Sequence, residues 1–153
     1  MEILKKMLSY DGEFASLCEG YKKGHTPILV NGVCEPVRAL FCEAFAERTK
    51  EKPIIIVPEE KQAYALKNML DAYGKTSLIY PSRDFMFDKI ATASREFEQE
   101  RLFVLLKIIE DDWDYIISVP DAVMEYTIPP EELADSVITI NLNTRISPDN
   151  LVK

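Results

Sequence analysis

The residues between Gly32 and Ala39 are of the types that hold phosphate or attack an electrophile. The phosphate-binding loop pattern is G-x-x-x-x-G-K-[ST]. Set against it, Gly32-Val33-Cys34-Glu35-Pro36-Val37-Arg38-Ala39 keeps only the first glycine. Val37 stands where a second glycine lets backbone approach phosphate. Arg38 replaces the lysine, and Ala39 lacks the hydroxyl that holds Mg²⁺. Pro36 removes an N–H donor. Glu35 sets a negative charge at a helix N-terminus, where the partial positive charge otherwise draws an anion. Every change weakens phosphate binding. Two readings follow: a phosphate scaffold that no longer uses ATP, or a strand-to-helix turn that never held phosphate. A second chemistry is nucleophilic. Cys34 lies near a helix N-terminus with Arg38 after it, which suggests the thiolate of a small α/β hydrolase or phosphatase. The C-x3-R spacing is shorter than the C-x5-R loop that wraps phosphate in cysteine phosphatases. A small buried cysteine is the other reading.

The elements that position these residues are a strand and a helix. Ile28-Leu29-Val30 is short and apolar, as in a buried parallel strand. Asn31-Gly32 is a hairpin signal, but Glu35-Pro36 cuts short any second strand. Val37, Leu40, Phe41, Ala44 and Phe45 form one helical stripe, and Pro36 suits the first helical position. Pro53 to Val57 reads as a second buried strand. Gln62, Ala65, Leu66, Met69, Leu70 and Tyr73 form the next helical stripe, closed by Gly74. Ser77 to Tyr80 is a third strand. The alternation β-α-β-α-β predicts an α/β fold with parallel strands and right-handed crossovers.

Composition narrows the function. The 153 residues suit one domain with a sizeable core. A net charge of −8 argues against gripping a nucleic-acid backbone. Cys18, Cys34 and Cys42 form no C-x-x-C pair, which fits a reducing cytosol, and predicts a cytoplasmic protein. His25 is the only histidine, which leaves little for a histidine metal site or a Ser-His-Asp triad. No apolar run approaches a membrane span, and charges come too early for a secretory signal.

The remaining chain supplies connections. Residues 1–24 read as two short helices packed on the sheet edge, the second carrying Phe14, Leu17, Cys18 and Tyr21. Pro81 to Thr92 is an irregular connection in which Phe85, Met86 and Phe87 plug onto the core. Stacking of these rings on bases would need basic company, and Arg83 and Lys89 are matched by Asp84 and Asp88. A long helix over Ser94 to Glu110 should begin in solvent and end buried. Glu110, Asp111, Asp112 and Asp114 resemble a metal cluster by type, but sit at a helix end already carrying partial negative charge, so a solvated connector is expected. Tyr115 to Val119 is a strand, and Ala122 to Tyr126 a short helix. Pro129-Pro130 opens one more helical turn. Val137 to Leu142 alternates apolar and polar residues, as in a strand exposed on one face. Ser147-Pro148-Asp149 reads as a helix start with little helix after it, which suggests a chain cut short. An unpaired edge at Val137 to Leu142 would invite self-association.

From Tyr80 onward the order of residues resembles the N-terminal module of bacterial transcription-repair coupling factors. That module is itself similar to the damage-recognition B subunit of the nucleotide excision nuclease. The residues that carry the likeness are Tyr80-Pro81, Asp84-Phe85, Phe87-Asp88, Gln99 with Arg101-Leu102, Val119-Pro120 with Ala122, Pro129-Pro130-Glu131 with Leu133, and Ile138 to Leu142 before Ser147-Pro148-Asp149. No one motif is specific; the order and spacing carry the resemblance. It implies a degenerate P-loop NTPase-like three-layer sandwich. Residues 1–25 would be helices packed on the sheet, 26–135 the α/β subdomain, and 136–153 the start of a second, truncated subdomain. Gly32, Arg38 and Ala39 would be a vestigial phosphate loop, with no cofactor. The excision subunit keeps an intact loop and inserts a tyrosine-rich hairpin where this chain has only Pro81 to Ala93, so strong DNA binding is not expected. The resemblance further implies a non-catalytic module of an ATP-driven DNA translocase. The full-length protein would recognise stalled RNA polymerase and recruit the excision nuclease through its A subunit. The motor and the polymerase-binding domain would lie beyond residue 153, and the A-subunit surface mainly in the second subdomain.

Overall fold

β3 (Tyr115–Ser118) is the centre of the molecule. Every residue of this strand is buried, and Ile117 has no solvent exposure. It hydrogen-bonds on one side to β1 (Ile54–Ile56) and on the other to β2 (Ser77–Tyr80), so the sheet order is β1-β3-β2 with all strands parallel. The register sets Ile54 beside Ile116 and Leu78 beside Ile116, with Ile56 and Tyr80 both level with Ser118. The computed structural model describes residues 11–82 and 93–138. Residues 83–92 of the predicted connection from Pro81 to Thr92, the segment before Asp11 and the segment 139–153 lie outside the described residues.

Each helix has a sequence reason for its ends. α1 (Gly12–Lys22) is capped by Asp11, whose Oδ1 accepts from the N–H groups of Glu13 at 2.8 Å and Phe14 at 3.3 Å. A cap of this kind stabilises by about 1 kcal/mol. α2 (Glu35–Thr49) has Pro36 in its first turn and ends at Lys50, whose φ of 67° is left-handed. α3 (Glu60–Ala72) stops before Gly74, whose φ of 76° suits a residue without Cβ. α4 (Ala93–Ile109) leads to β3, and two short helices, α5 (Pro120–Met124) and α6 (Pro130–Ser136), both carry proline in their first turn.

Two layers of side chains result. The main core joins Ala39, Ala63, Leu66, Leu70, Val104, Ile116, Ile117 and Ala122 around the sheet. A second, smaller core lies between α1 and α2, where Phe14 and Cys18 meet Ala44, Phe41 and Phe45. The Phe14 and Phe41 rings meet edge-on with centroids 5.6 Å apart.

Several expectations are corrected. Ile28-Leu29-Val30 is not a buried strand. It is extended chain outside the sheet, and Leu29 is 84% exposed. A short apolar run specifies a strand only where a neighbour accepts its hydrogen bonds, and among the described residues the sheet has three strands. The PIIIV strand is real but narrower and more exposed than expected: Ile54 and Ile56 are exposed, while Ile55 and Val57 pack on the core. The first-turn proline of α2 follows Glu35 instead of opening the helix. The α2 stripe does not meet the sheet: Phe41, Ala44 and Phe45 face α1 and Val37 is exposed, while Ala39, Cys42 and Ala46, outside that stripe, face the sheet. α1 joins α2 in this second core. The last turns of α4 are not buried all round; Val104 is buried, but Phe103, Ile108 and Ile109 are exposed. Val137 and Ile138 are exposed and lie outside any strand; the rest of that predicted strand lies outside the described residues.

Candidate functional site

The turn before α2 is open chain. Gly32 has φ 84°, a left-handed value that glycine adopts without strain, and no heavy atom lies within 4 Å of where a Cβ would stand. Gly32 and Cys34 line a groove of about 470 Å³ with Asn31, Leu29 and, from α1, Phe14 and Leu17. Arg38 lines a different and much smaller crevice, about 20 Å³, between α2 and α3 with Glu35, Val57, Gln62 and Met69. Ala39 has no solvent exposure and packs into the sheet core. The three residues of the phosphate-loop window, Gly32, Arg38 and Ala39, thus face three surroundings. Helical rotation explains the split: successive residues of α2 point about 100° apart, so a loop that gathers them must wrap, and this one runs extended.

The same separation bears on Cys34 and Arg38. The exposed thiol sits on the groove side, and the guanidinium on the crevice side. Burial raises the thiols of Cys42 and Cys18 above the usual range. Titration of the native protein with a chromogenic disulfide should therefore show one fast thiol, removed by Cys34→Ser, with Cys18 and Cys42 reacting only on unfolding. Equal rates for all three thiols would contradict this burial pattern.

The most heavily bonded polar group at the strand ends is Arg101. It is a buried cation on α4. Its Nη1 donates to the Pro81 carbonyl at 2.8 Å and to the Ala122 carbonyl at 3.4 Å. It also pairs with the Glu125 carboxylate at 2.9 Å. Nη2 donates to the Tyr80 hydroxyl, and the guanidinium lies 4.2 Å from the centroid of the Tyr80 ring. Beside it, the Ser118 hydroxyl donates to the Tyr80 carbonyl at 2.9 Å. One side chain thereby joins β2, the start of the connection after it, α4 and α5. Tyr80, Pro81, Arg101 and Ala122 are among the residues on which the family resemblance rests, and the fold brings them to one point.

A second buried charge lies on the other face of the sheet. Glu43 of α2 is 2% exposed. It accepts from the Tyr115 hydroxyl at 2.5 Å and pairs with Lys75 at 3.2 Å. Burial, then the hydrogen bond and charge of Glu43, hold the Tyr115 phenol far above its usual range. Neither Glu43 nor the Arg101 clamp was expected as such. The available signal was a charge falling on a buried helical stripe: Glu43 is four residues after Ala39, and Arg101 three before Val104.

The acidic run after α4 is divided among partners. Asp111 pairs with Lys52 at 2.6 Å, and Asp112 and Glu110 with Lys107 at 2.7 and 3.1 Å. Asp114 accepts from the Thr76 N–H at 2.8 Å. Among the described residues no group of His, Cys, Asp and Glu is arranged to hold a metal ion. Among them, too, no helix is long and apolar enough to cross a membrane.

No family model matches the chain, and no solved structure matches it. Among curated proteins, the chain is similar to the transcription-repair-coupling factor of Bacillus subtilis (strain 168), at 26% identity over 157 residues. The match takes in 99% of this chain but 13% of that protein's length. What the chain resembles is one domain-sized portion of a transcription-repair coupling factor, at a distant level of identity.

Proposed function

We propose that this chain is a non-catalytic scaffold module of the transcription-repair coupling type, built on a P-loop NTPase-like frame whose phosphate loop is vestigial. The reading rests on the distant similarity along the chain, and on one observation above the rest. Gly32, Arg38 and Ala39, which a working loop would bring around a phosphate, line a groove, line a crevice and fill the core respectively. Glu35 adds a negative charge in the first turn of α2, where an anion would need a positive one. In the full-length protein such a module would serve a translocase that displaces stalled RNA polymerase and recruits the excision nuclease A subunit, with the motor and the partner surfaces carried elsewhere in the chain. Residues 26–135 would form the scaffold subdomain, in a cytoplasmic protein.

Isothermal calorimetry tests the reading. The chain titrated with Mg-ATP should give no binding heat at millimolar nucleotide. Micromolar affinity would overturn the proposal. Fluorescence anisotropy with a labelled duplex at low salt should likewise show no tight complex, since the net charge of −8 repels phosphate.

A further inference from the structure

We infer that the exposed apolar segment between α5 and α6 is a docking surface for a basic, amphipathic stretch of another protein. Its two anchors are buried: Ala122 of α5 and Leu133 of α6 both pack inward. Between them the chain turns outward. Met124 is 82% exposed and Tyr126 92%, and Val123 beside them is exposed too. Tyr126 and Met124 are, with Leu29, the most exposed large apolar side chains among the described residues. One such side chain alone means little. Here Val123, Met124 and Tyr126 fall together, and tyrosine and methionine are types that interfaces favour.

The segment is held in place. Glu125, between Met124 and Tyr126, pairs with the buried Arg101 at 2.9 Å. The chain is extended at Glu125, with ψ 144°, and again at Pro129, with ψ 145°, where Pro129-Pro130 leads into α6. Proline fixes φ, so fewer conformations are lost when a ligand binds. The Arg101 clamp thus positions this surface as well as joining α4 and α5 to the sheet.

Charge selects the occupant. Residues 120–138 contain no lysine, arginine or histidine. Asp121 stands three residues before Met124 on α5, so the two share a side of that helix. Glu131 and Glu132 lie in the first turn of α6, and Asp135 follows them. All four acids are exposed, and among the described residues none of their carboxylates is paired. Glu125 adds nothing to this charge, because Arg101 neutralises it. The exposed Phe103 of α4 differs, since the Lys107 ammonium lies 5.8 Å from its ring centroid. Unpaired carboxylates at both ends of an apolar centre repel nucleic acid, anionic lipid and a second acidic copy of this chain, and attract lysine and arginine. A stretch with aliphatic side chains set between lysines or arginines meets the apolar centre and the acidic ends together. This surface goes beyond the scaffold reading and does not depend on it, so the nucleotide titration and the test below fail separately.

Titration of the ¹⁵N-labelled chain with a synthetic peptide of leucines spaced between lysines tests this. Saturable shifts should centre on the amides of Val123, Met124, Tyr126 and Thr127. A matched peptide with glutamate in place of lysine should produce none. Met124→Ser with Tyr126→Ser should weaken binding about tenfold or more, by removing the apolar centre. Asp121→Asn with Glu131→Gln and Glu132→Gln should weaken it as well and remove most of its salt dependence. Circular dichroism should be unchanged in both variants, because every replaced side chain is exposed. The absence of saturable binding at millimolar peptide, shifts centred elsewhere, or equal affinity for the acidic peptide would overturn the inference. So would an affinity indifferent to the two variants.

Discussion

Arg101→Leu should lower the stability of the fold by about 2–4 kcal/mol, measured by denaturant unfolding, the range for removing one partner of a buried charge network. Leucine keeps most of the volume but none of the donors. The carbonyls of Pro81 and Ala122 and the hydroxyl of Tyr80 then lose a buried donor, and Glu125 loses its cation. Because Glu125 keeps some access to water, its carboxylate can be rehydrated, which places the expected loss below the largest values known for buried pairs. Arg101→Lys should recover only part of the stability. An ammonium can meet one or two of these acceptors, but it lacks the planar fork that reaches several at once. The double variant Arg101→Leu with Glu125→Leu should be less destabilised than the sum of the single variants, since neither then leaves a charge unpaired. Equal stability of Arg101→Leu and the wild type would show that the clamp does not hold α4 and α5 to the sheet.

Glu43→Ala should cost a similar amount, about 2–4 kcal/mol, by leaving the Tyr115 hydroxyl buried without its acceptor and opening a small void against β3. Its partner Tyr115 gives a pH signature. The folded-state pKa of this phenol is raised, so its contribution is complete below the unfolded value, about 10. Above that value the unfolded state loses a proton that the folded state retains, and stability falls as pH rises. Tyr115→Phe should flatten that alkaline decline while lowering stability near neutrality by about 1 kcal/mol, the usual net worth of a hydrogen bond. If the variant and the wild type lose stability alike above pH 10, the buried pair has been assigned wrongly.

What the sequence made legible was the part set by local spacing. The stripe from Gln62 to Tyr73 and the stop at Gly74 placed α3 to within two or three residues, and Ser77 to Tyr80 was placed as β2 in full. Those features need only the helical period and a glycine in the left-handed region. The strand order did not follow from the alternation of elements. β3 inserts between β1 and β2, a long-range pairing that no local pattern encodes. Ile28-Leu29-Val30 misled for the same reason: its composition suits a strand, but pairing is a property of the neighbour. α2 misled differently. Its phenylalanines outweighed its alanines in the hydrophobic pattern, yet Ala39 and Ala46 face the sheet, because small side chains permit close helix-to-sheet approach, and the rings fill the wider gap to α1 beside Ala44. From their types alone the residues of the phosphate-loop window could be read as a weakened phosphate site or as a plain strand-to-helix turn. That they point in three directions needed the fold.

The most direct test is a site-resolved one. In ¹⁵N-correlation spectra of the folded chain, the amides of Asn31, Gly32, Val33 and Cys34 report on any anion held at the turn before α2. Addition of Mg-ATP to millimolar concentration should leave these four resonances in place, as expected of a turn that gathers no phosphate ligands. Saturable shifts confined to them, lost in Gly32→Val, would mean that the turn still grips triphosphate, and the scaffold account would be wrong.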